Sequence, residues 1–382
     1  MSSRKAGARL RWHVKEGLAG LITRLTARRR PARRLGAGYR PLVLGYHRVV
    51  EDFDSAGRNE MASMLISTRM FEQHLDWIGR HFRFVDLDEI GVAAESGRPF
   101  DQPVAAVTFD DGYRDIYENA LPILKRKGIP AAAFVVTDLV GRSGWQIHDK
   151  LYHLVAKGFS QWENPRSQLH GVLTDLGLPA SAILRKRVAT RTPMMAVSSL
   201  LPNLSRDDVG RVMQYLEWSV GNGFVGVPET LTWPMLDEMQ RDGFTIGSHT
   251  RSHVSLPKES AASADDELAG SKRLLEEKLG RSIDHFAYPG GQFTPAVVDA
   301  LARAGYRYAY TACPHSDPRH PALTIERLLL WEGSSVNADG HFSAAILNCQ
   351  AQDLWPPSRR CARVHGVRPH ESSRVWGSDP NE

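Results

Sequence analysis

The chain has 382 residues, 42% of them apolar, which is enough to bury a sizeable core in one large domain or two. The formal charge of +5 is uneven: residues 1–34 carry eleven Lys and Arg against one acid, Glu16, so this arm holds +10 and the remainder −5. An acidic body argues against a nucleic-acid-binding domain, which needs its basic patch on the fold itself, and three scattered cysteines (Cys313, Cys349 and Cys361) suggest neither a disulfide framework nor a thiolate zinc site.

Within the arm (1–39), the apolar stretch GLAGLITRLT is too short to span a bilayer and is interrupted by Arg24, and no small-residue cleavage site follows it. The expectation is therefore no signal peptide, no transmembrane helix and a cytoplasmic location. Leu10, Val14, Leu18, Leu21, Ile22 and Leu25 recur at helical spacing among arginines. This describes a basic amphipathic helix able to lie on the inner face of an anionic membrane, or equally a helix packed on the body or a solvated tail.

The folded body is expected over 40–345. RPLVLGYHRVV (40–50) is a β-branched apolar run that ends near His47 and reads as its first strand, and 68–82 has helical periodicity with Phe71, Leu75 and Ile78 on one face. Strand and helix then alternate: PVAAVTF, the helix DIYENALPILKRKG closed by Gly128, and the buried strand PAAAFVV. Residues 138–230 break this rhythm with amphipathic stretches such as HDKLYHLVAKG and RDDVGRVMQYLEWSVG. They read as a helical insertion, longer than ordinary connections and a candidate for substrate contact. Alternation resumes with FTIGSH, a helix over SADDELAGSKRLLEEKLG, HFAYP, PAVVDALARAG and YRYAYTA. Repeated β-α units favour a parallel sheet closed or nearly closed into a barrel. The Pro- and Arg-rich residues 352–382 are expected to be a disordered tail.

Three strand ends carry residues suited to chemistry. Asp110 and Asp111 end a strand before Gly112, and at such an edge of a barrel catalytic side chains gather; the alternative is an acidic turn or helix cap. Two adjacent carboxylates repel unless positive charge lies between them. His249 and His253, in GSHTRSH, would point the same way on a helical turn and could bind one cation. A carboxylate with two imidazoles leaves coordination sites open for water and substrate, and its neighbouring carboxylate is then free to act as a base. In HFAYPGGQFTP, an aromatic strand end is followed by Pro289, Gly290 and Gly291. The consecutive glycines could offer backbone N–H groups to an oxyanion, with Tyr288, Pro289 and Gly290 as the candidate substrate and oxyanion residues, although a plain loop would look the same.

TFDDGY, SHTRSH and FAYPGG, in this order, resemble the motifs of the polysaccharide deacetylases, the NodB-homology carbohydrate esterases that remove N-acetyl groups from amino sugars. The resemblance spans about residues 40–335 outside the insertion. It implies an α/β fold, a distorted (β/α)7 barrel, with Asp110 as catalytic base and Asp111, His249 and His253 as ligands of a divalent metal, usually Zn2+. The implied partner is an N-acetylated glycan or lipid-linked sugar. Where the family carries a base-steadying arginine this chain has Ala287, which makes Arg327 the candidate substitute. The family's acid histidine has no obvious counterpart after Arg327, and LGYHRV resembles the YH motif of a circularly permuted subset. His47 is therefore assigned as general acid, with His341 as runner-up. Two rival readings remain: a metal-free glycosidase using a distant carboxylate, and a catalytically silent glycan-binding module.

Overall fold

The computed structural model describes residues 16–22, 34–35, 38–57, 60–185, 190–221 and 226–354. Most of the basic arm and the tail from 355 lie outside these residues. Seven parallel strands close on themselves: β1 (Leu42–Tyr46), β2 (Val104–Phe109), β3 (Ala131–Val135), β4 (Thr245–Ser248), β5 (His285–Ala287), β6 (Tyr308–Thr311) and β7 (Ile325–Leu329), with β7 pairing back onto β1. The short strand Arg83–Phe84 adds to the outer edge of β2. The expected (β/α)7 barrel is therefore the fold.

Alternation along the strands explains how a barrel so narrow is filled. Leu42, Leu44, Tyr46, Val107 and Phe109 point outward into the layer shared with the surrounding helices. Val43, Ala106, Ala132, Phe134, Ala287, Tyr310 and Ile325 pack together in a second cluster inside the barrel. On β2 the inward set 106 and 108 continues to position 110, and on β7 the set 325 continues to 327. The same pleat that fills the barrel therefore turns two charged residues towards its axis.

The outer ring includes α1 (Thr68–Gly79), α2 (Leu87–Ser96), α3 (Leu121–Lys127) and then the insertion: α4 (Ile147–Gln161), α5 (Pro165–Asp175), α6 (Ala180–Ile183), α7 (Pro193–Leu200) and α8 (Arg206–Val220). The insertion has a core of its own, in which Leu151, Leu154, Leu173, Val197, Leu200 and Leu216 are fully or almost fully buried. Burying each such side chain stabilises by about 1.5–3 kcal/mol, so the helices hold together without borrowing from the barrel interior. Completing the chain are α9 (Trp233–Arg241), α10 (Ala261–Leu279), α11 (Pro295–Arg303) and α12 (Ala344–Ala351).

The first strand ends near His47 as expected: β1 stops at Tyr46, and Arg48–Val50 forms a further short strand that pairs with Leu65–Ser67 in a separate parallel ribbon, which leaves His47 between the two. Part of the arm, helix 16–22, buries Ala19 against Ile346 and Cys349 of α12 while Leu18 and Leu21 stay exposed. No described helix is long and apolar enough to cross a membrane.

Candidate metal and catalytic centre

Strand register gathers the candidate residues at the C-terminal end of the barrel. Tyr46 pairs with Phe109, so His47 and Asp110 follow on adjacent strands, and the Asp110 N–H continues the ladder by donating to the Tyr46 carbonyl at 2.9 Å. Val135 pairs with Ser248, and the His249 N–H donates to the Val135 carbonyl at 3.0 Å.

Asp110 is buried and held by a two-pronged pair with Arg327, Nη1 to Oδ1 and Nη2 to Oδ2, both at 2.7 Å. Nη1 also donates to the Thr108 hydroxyl, which in turn donates to the Leu44 carbonyl. The guanidinium thus reaches the carboxylate from β7, while position 287 on β5 contributes only a buried methyl and a carbonyl. Burial opposes ionisation of Asp110, but Arg327 and His249 outweigh it and hold the carboxyl below its usual value.

Asp111 differs in every respect. Its backbone is left-handed, φ 71°, and Gly112 follows at φ 73°. An added Cβ on Gly112 would lie 3.0 Å from a methyl of Val135, so glycine is required for both conformation and space. The turn aims the Asp111 carboxylate at a cluster of imidazoles: Oδ1 is 3.5 Å from His249 Nε2 and 3.3 Å from His253 Nε2, and Oδ2 is 3.6 Å from His148 Nε2. Both oxygens are buried without a hydrogen-bond partner among the described residues.

The two motif histidines do not meet on a helical turn as expected. Residues 250–252 form a tight turn, and Thr250 (φ 68°) and His253 (φ 58°) adopt left-handed backbone that folds the second ring back to 4.9 Å from the first. The Thr250 hydroxyl accepts the His253 N–H at 2.9 Å and fixes this turn. His249 Nδ1 donates to the Ala287 carbonyl at 2.7 Å, which leaves the Nε2 lone pair facing Asp111. Burial lowers the His249 pKa to about 4, keeping that lone pair available at neutral pH. One donor atom from each of Asp111, His249 and His253 lies within 4.8 Å of the others. Two imidazole nitrogens and one buried carboxylate whose oxygens lack a partner among the described residues fit a divalent cation, and this set could hold one.

His47 is half-buried, and its positive form would favour ionisation of both aspartates. His341 is exposed on a separate hollow of about 570 Å³, beside Trp331 and Phe342. The expectation for Tyr288 is corrected: its ring is fully buried, its hydroxyl donates to the Leu323 carbonyl at 2.9 Å, and its N–H is spent on the Tyr310 carbonyl at 3.0 Å. Pro289 has no N–H and that of Gly291 is spent on the Tyr288 carbonyl at 2.8 Å, so of these residues exposed Gly290 is left to offer one to a ligand. Pro289, Gly290 and His253 line a hollow of about 270 Å³ whose opposite wall, including Leu201 and Val209, belongs to the insertion.

Sequence reasoning missed the insertion's own contribution. Gln146, His148 and Asp149 are buried at the start of α4. The available signal was periodicity: His148 shares the face of Leu151 and Val155, at spacings of three and seven, so a polar ring occupies a core position.

The sequence matches the family model described as Polysaccharide deacetylase over residues 97–164 and 192–309, and the gap falls within the insertion. It is 32% identical over 112 residues to a poly-beta-1,6-N-acetyl-D-glucosamine N-deacetylase of Staphylococcus epidermidis, covering 27% of this chain and 38% of that protein. It is 30% identical over 146 residues to the protein of that name in Staphylococcus aureus, covering 34% and 49%. The chain thus spans less than half the length of these curated relatives. Among solved structures, that of IcaB from Ammonifex degensii is similar at a TM-score of 0.49 and 21% identity, covering 82% of this chain and 97% of that one.

Proposed function

This chain belongs to the polysaccharide deacetylase family, and from that premise we propose that it removes N-acetyl groups from an N-acetylated amino sugar within a glycan. The reading is carried by one observation: two adjacent carboxylates with opposite partners, Asp110 locked on a guanidinium and Asp111 bare towards imidazoles. The printed names of the staphylococcal relatives point to a poly-N-acetylglucosamine-like substrate.

Asp111, His249 and His253 would hold the cation, which we take to be zinc. When bound, it would supply polarisation of the acetamide carbonyl and acidify a water molecule. Asp110, kept ionised and oriented by Arg327, accepts the proton of the attacking water. Gly290 offers its N–H to charge developing on the acetamide oxygen. His47, just past the end of the strand next to that of Asp110, donates a proton to the departing amine. Acetate and a free amino sugar leave.

The test is acetate release from N-acetylglucosamine oligomers by metal-depleted and zinc-restored protein. Release that returns with zinc supports the reading. Silence in both states overturns it in favour of a glycan-binding module.

A further inference from the structure

Both ends of the insertion grip the turn that carries Asp111. At its start, the Gln146 side chain donates to the Asp111 carbonyl at 2.8 Å, and His148 and Asp149 both reach the hydroxyl of Tyr113. At its end, the Leu231 N–H donates to the Gly112 carbonyl at 2.8 Å, and Thr230 bridges to Tyr113. The left-handed backbone at 111 and 112 is thus held by residues about 35 and 120 positions away.

Proton counting within this clasp assigns the His148 tautomer. Tyr113 has one hydroxyl proton and donates it to Asp149 Oδ2 at 2.7 Å. The phenolic oxygen, 2.8 Å from His148 Nε2, must then accept, so Nε2 carries the proton. The same Nε2 lies 3.6 Å from Asp111 Oδ2, an electrostatic approach just beyond a hydrogen bond. On the other side of the carboxylate, Oδ1 faces His249 and His253. His148 is buried, its ring is 4.6 Å from that of His253, and its Nδ1 has no hydrogen-bond partner among the described residues.

We propose that His148 is a positioning residue of the metal centre, its Nε2–H bonded to Tyr113 and facing, across 3.6 Å, the Asp111 oxygen turned away from the cation. The proposal rests on the reading that Asp111, His249 and His253 hold a divalent ion. Ligand carboxylates are commonly oriented by such outer donors, whose removal costs about 10- to 100-fold in metal affinity. The helical insertion is then part of the metal centre and not only a wall of the substrate cleft.

Zinc alone is the probe, with affinity measured by competition against a chelator, so no glycan or turnover is required. His148→Ala should weaken zinc binding about 10- to 100-fold while circular dichroism shows an intact fold. His148→Gln, which can place an N–H near the former Nε2, should restore most of the loss. His153→Ala, on the same helix, should bind like the wild type. The visible spectrum of the cobalt(II)-substituted protein should change in His148→Ala and not in His153→Ala. Should His148→Ala fail to fold, His148→Gln and Tyr113→Phe remain. The latter frees the N–H for Asp111, so affinity should hold or rise. Unchanged affinity in a folded His148→Ala, or a folded His148→Gln as weak as the alanine variant, overturns the positioning role and leaves the cation reading intact. Absence of zinc binding by the wild type overturns the cation reading itself and this proposal with it.

Discussion

Asp110 and Asp111 are neighbours in the chain and are both buried, yet one has both carboxylate oxygens hydrogen-bonded and the other, among the described residues, has neither. The difference comes from a single peptide. Asp110 is the last residue to obey the pleat of β2, so it points along the barrel interior, where Arg327 of β7 stands opposite. Asp111 is the first to leave the strand, and its left-handed backbone turns it out of that register towards the loop after β4. Two copies of one side chain thus acquire opposite settings, one neutralised by a guanidinium and one facing imidazoles, as the proposed roles of base and metal ligand require. Burial alone would push both carboxyls towards protonation, and what rescues each is the nature of its partner.

The largest effects should come from exchanging amides for these acids one at a time. Asp111→Asn is expected to lose zinc on dialysis and to fall to background acetate release, because the site loses its only anionic ligand. Asp110→Asn should retain zinc yet turn over about 100- to 10,000-fold more slowly, the typical cost of losing a general base. Metal content and rate measured on both variants decide the matter: exchanged phenotypes would mean that the two roles are reversed.

Arg327→Met breaks the comparison from the other side, by giving Asp110 the orphaned state of Asp111. The pair is almost completely buried, and stranding one partner typically costs about 3–5 kcal/mol. With the guanidinium gone, burial should raise the folded pKa of Asp110 above its unfolded value of about 3.9. The unfolded state then releases its proton first as pH rises, so the variant should lose stability relative to the wild type as pH climbs. Its turnover should also need more alkaline pH to ionise the base. Urea titrations at pH 5 and pH 8 test this; a deficit of equal size at both would show that Asp110 is not the group left behind.

How far this was legible in the sequence follows from the same physics. The barrel was, because strands buried on both faces are apolar runs separated by amphipathic helices. DDG and the histidine pair were legible as residue types, but not as geometry: His249 and His253 look like a helical pair, whereas left-handed backbone at 250 and 253 brings them together. Arg327 could be named only as a substitute for the arginine that the resembled family carries where this chain has Ala287, and nothing local says that its partner lies 217 residues earlier. The end of β1 near His47 was legible, but the strand after it was not, since only the pairing of 48–50 with 65–67 shows that these residues leave the barrel sheet. The role of His148 needed the closed fold, because its partners Tyr113 and Asp111 lie more than thirty positions away.

The smallest expected effect separates the mouth of the barrel from a second buried polar group outside it. His74 on α1 is fully buried between the Tyr46 hydroxyl, 3.2 Å from Nδ1, and the Ser335 hydroxyl at Nε2. Burial lowers its pKa from 6.5 to about 3. The unfolded chain therefore takes up a proton near pH 6.5 that the folded protein refuses until about pH 3. Stability should decline across that window by up to about 1.4 kcal/mol per pH unit. Asp110 behaves oppositely in range: its folded pKa is depressed, so its contribution persists above the unfolded value of about 3.9 and is lost only below it. Between pH 7 and pH 5 the zinc-loaded protein should thus lose about 2 kcal/mol through His74 and nothing through the carboxylate. His74→Gln can keep polar contacts to both hydroxyls without titrating, so its denaturation midpoint should be flatter over those two units. A variant as acid-sensitive as the wild type would move the source of the slope back to the mouth of the barrel.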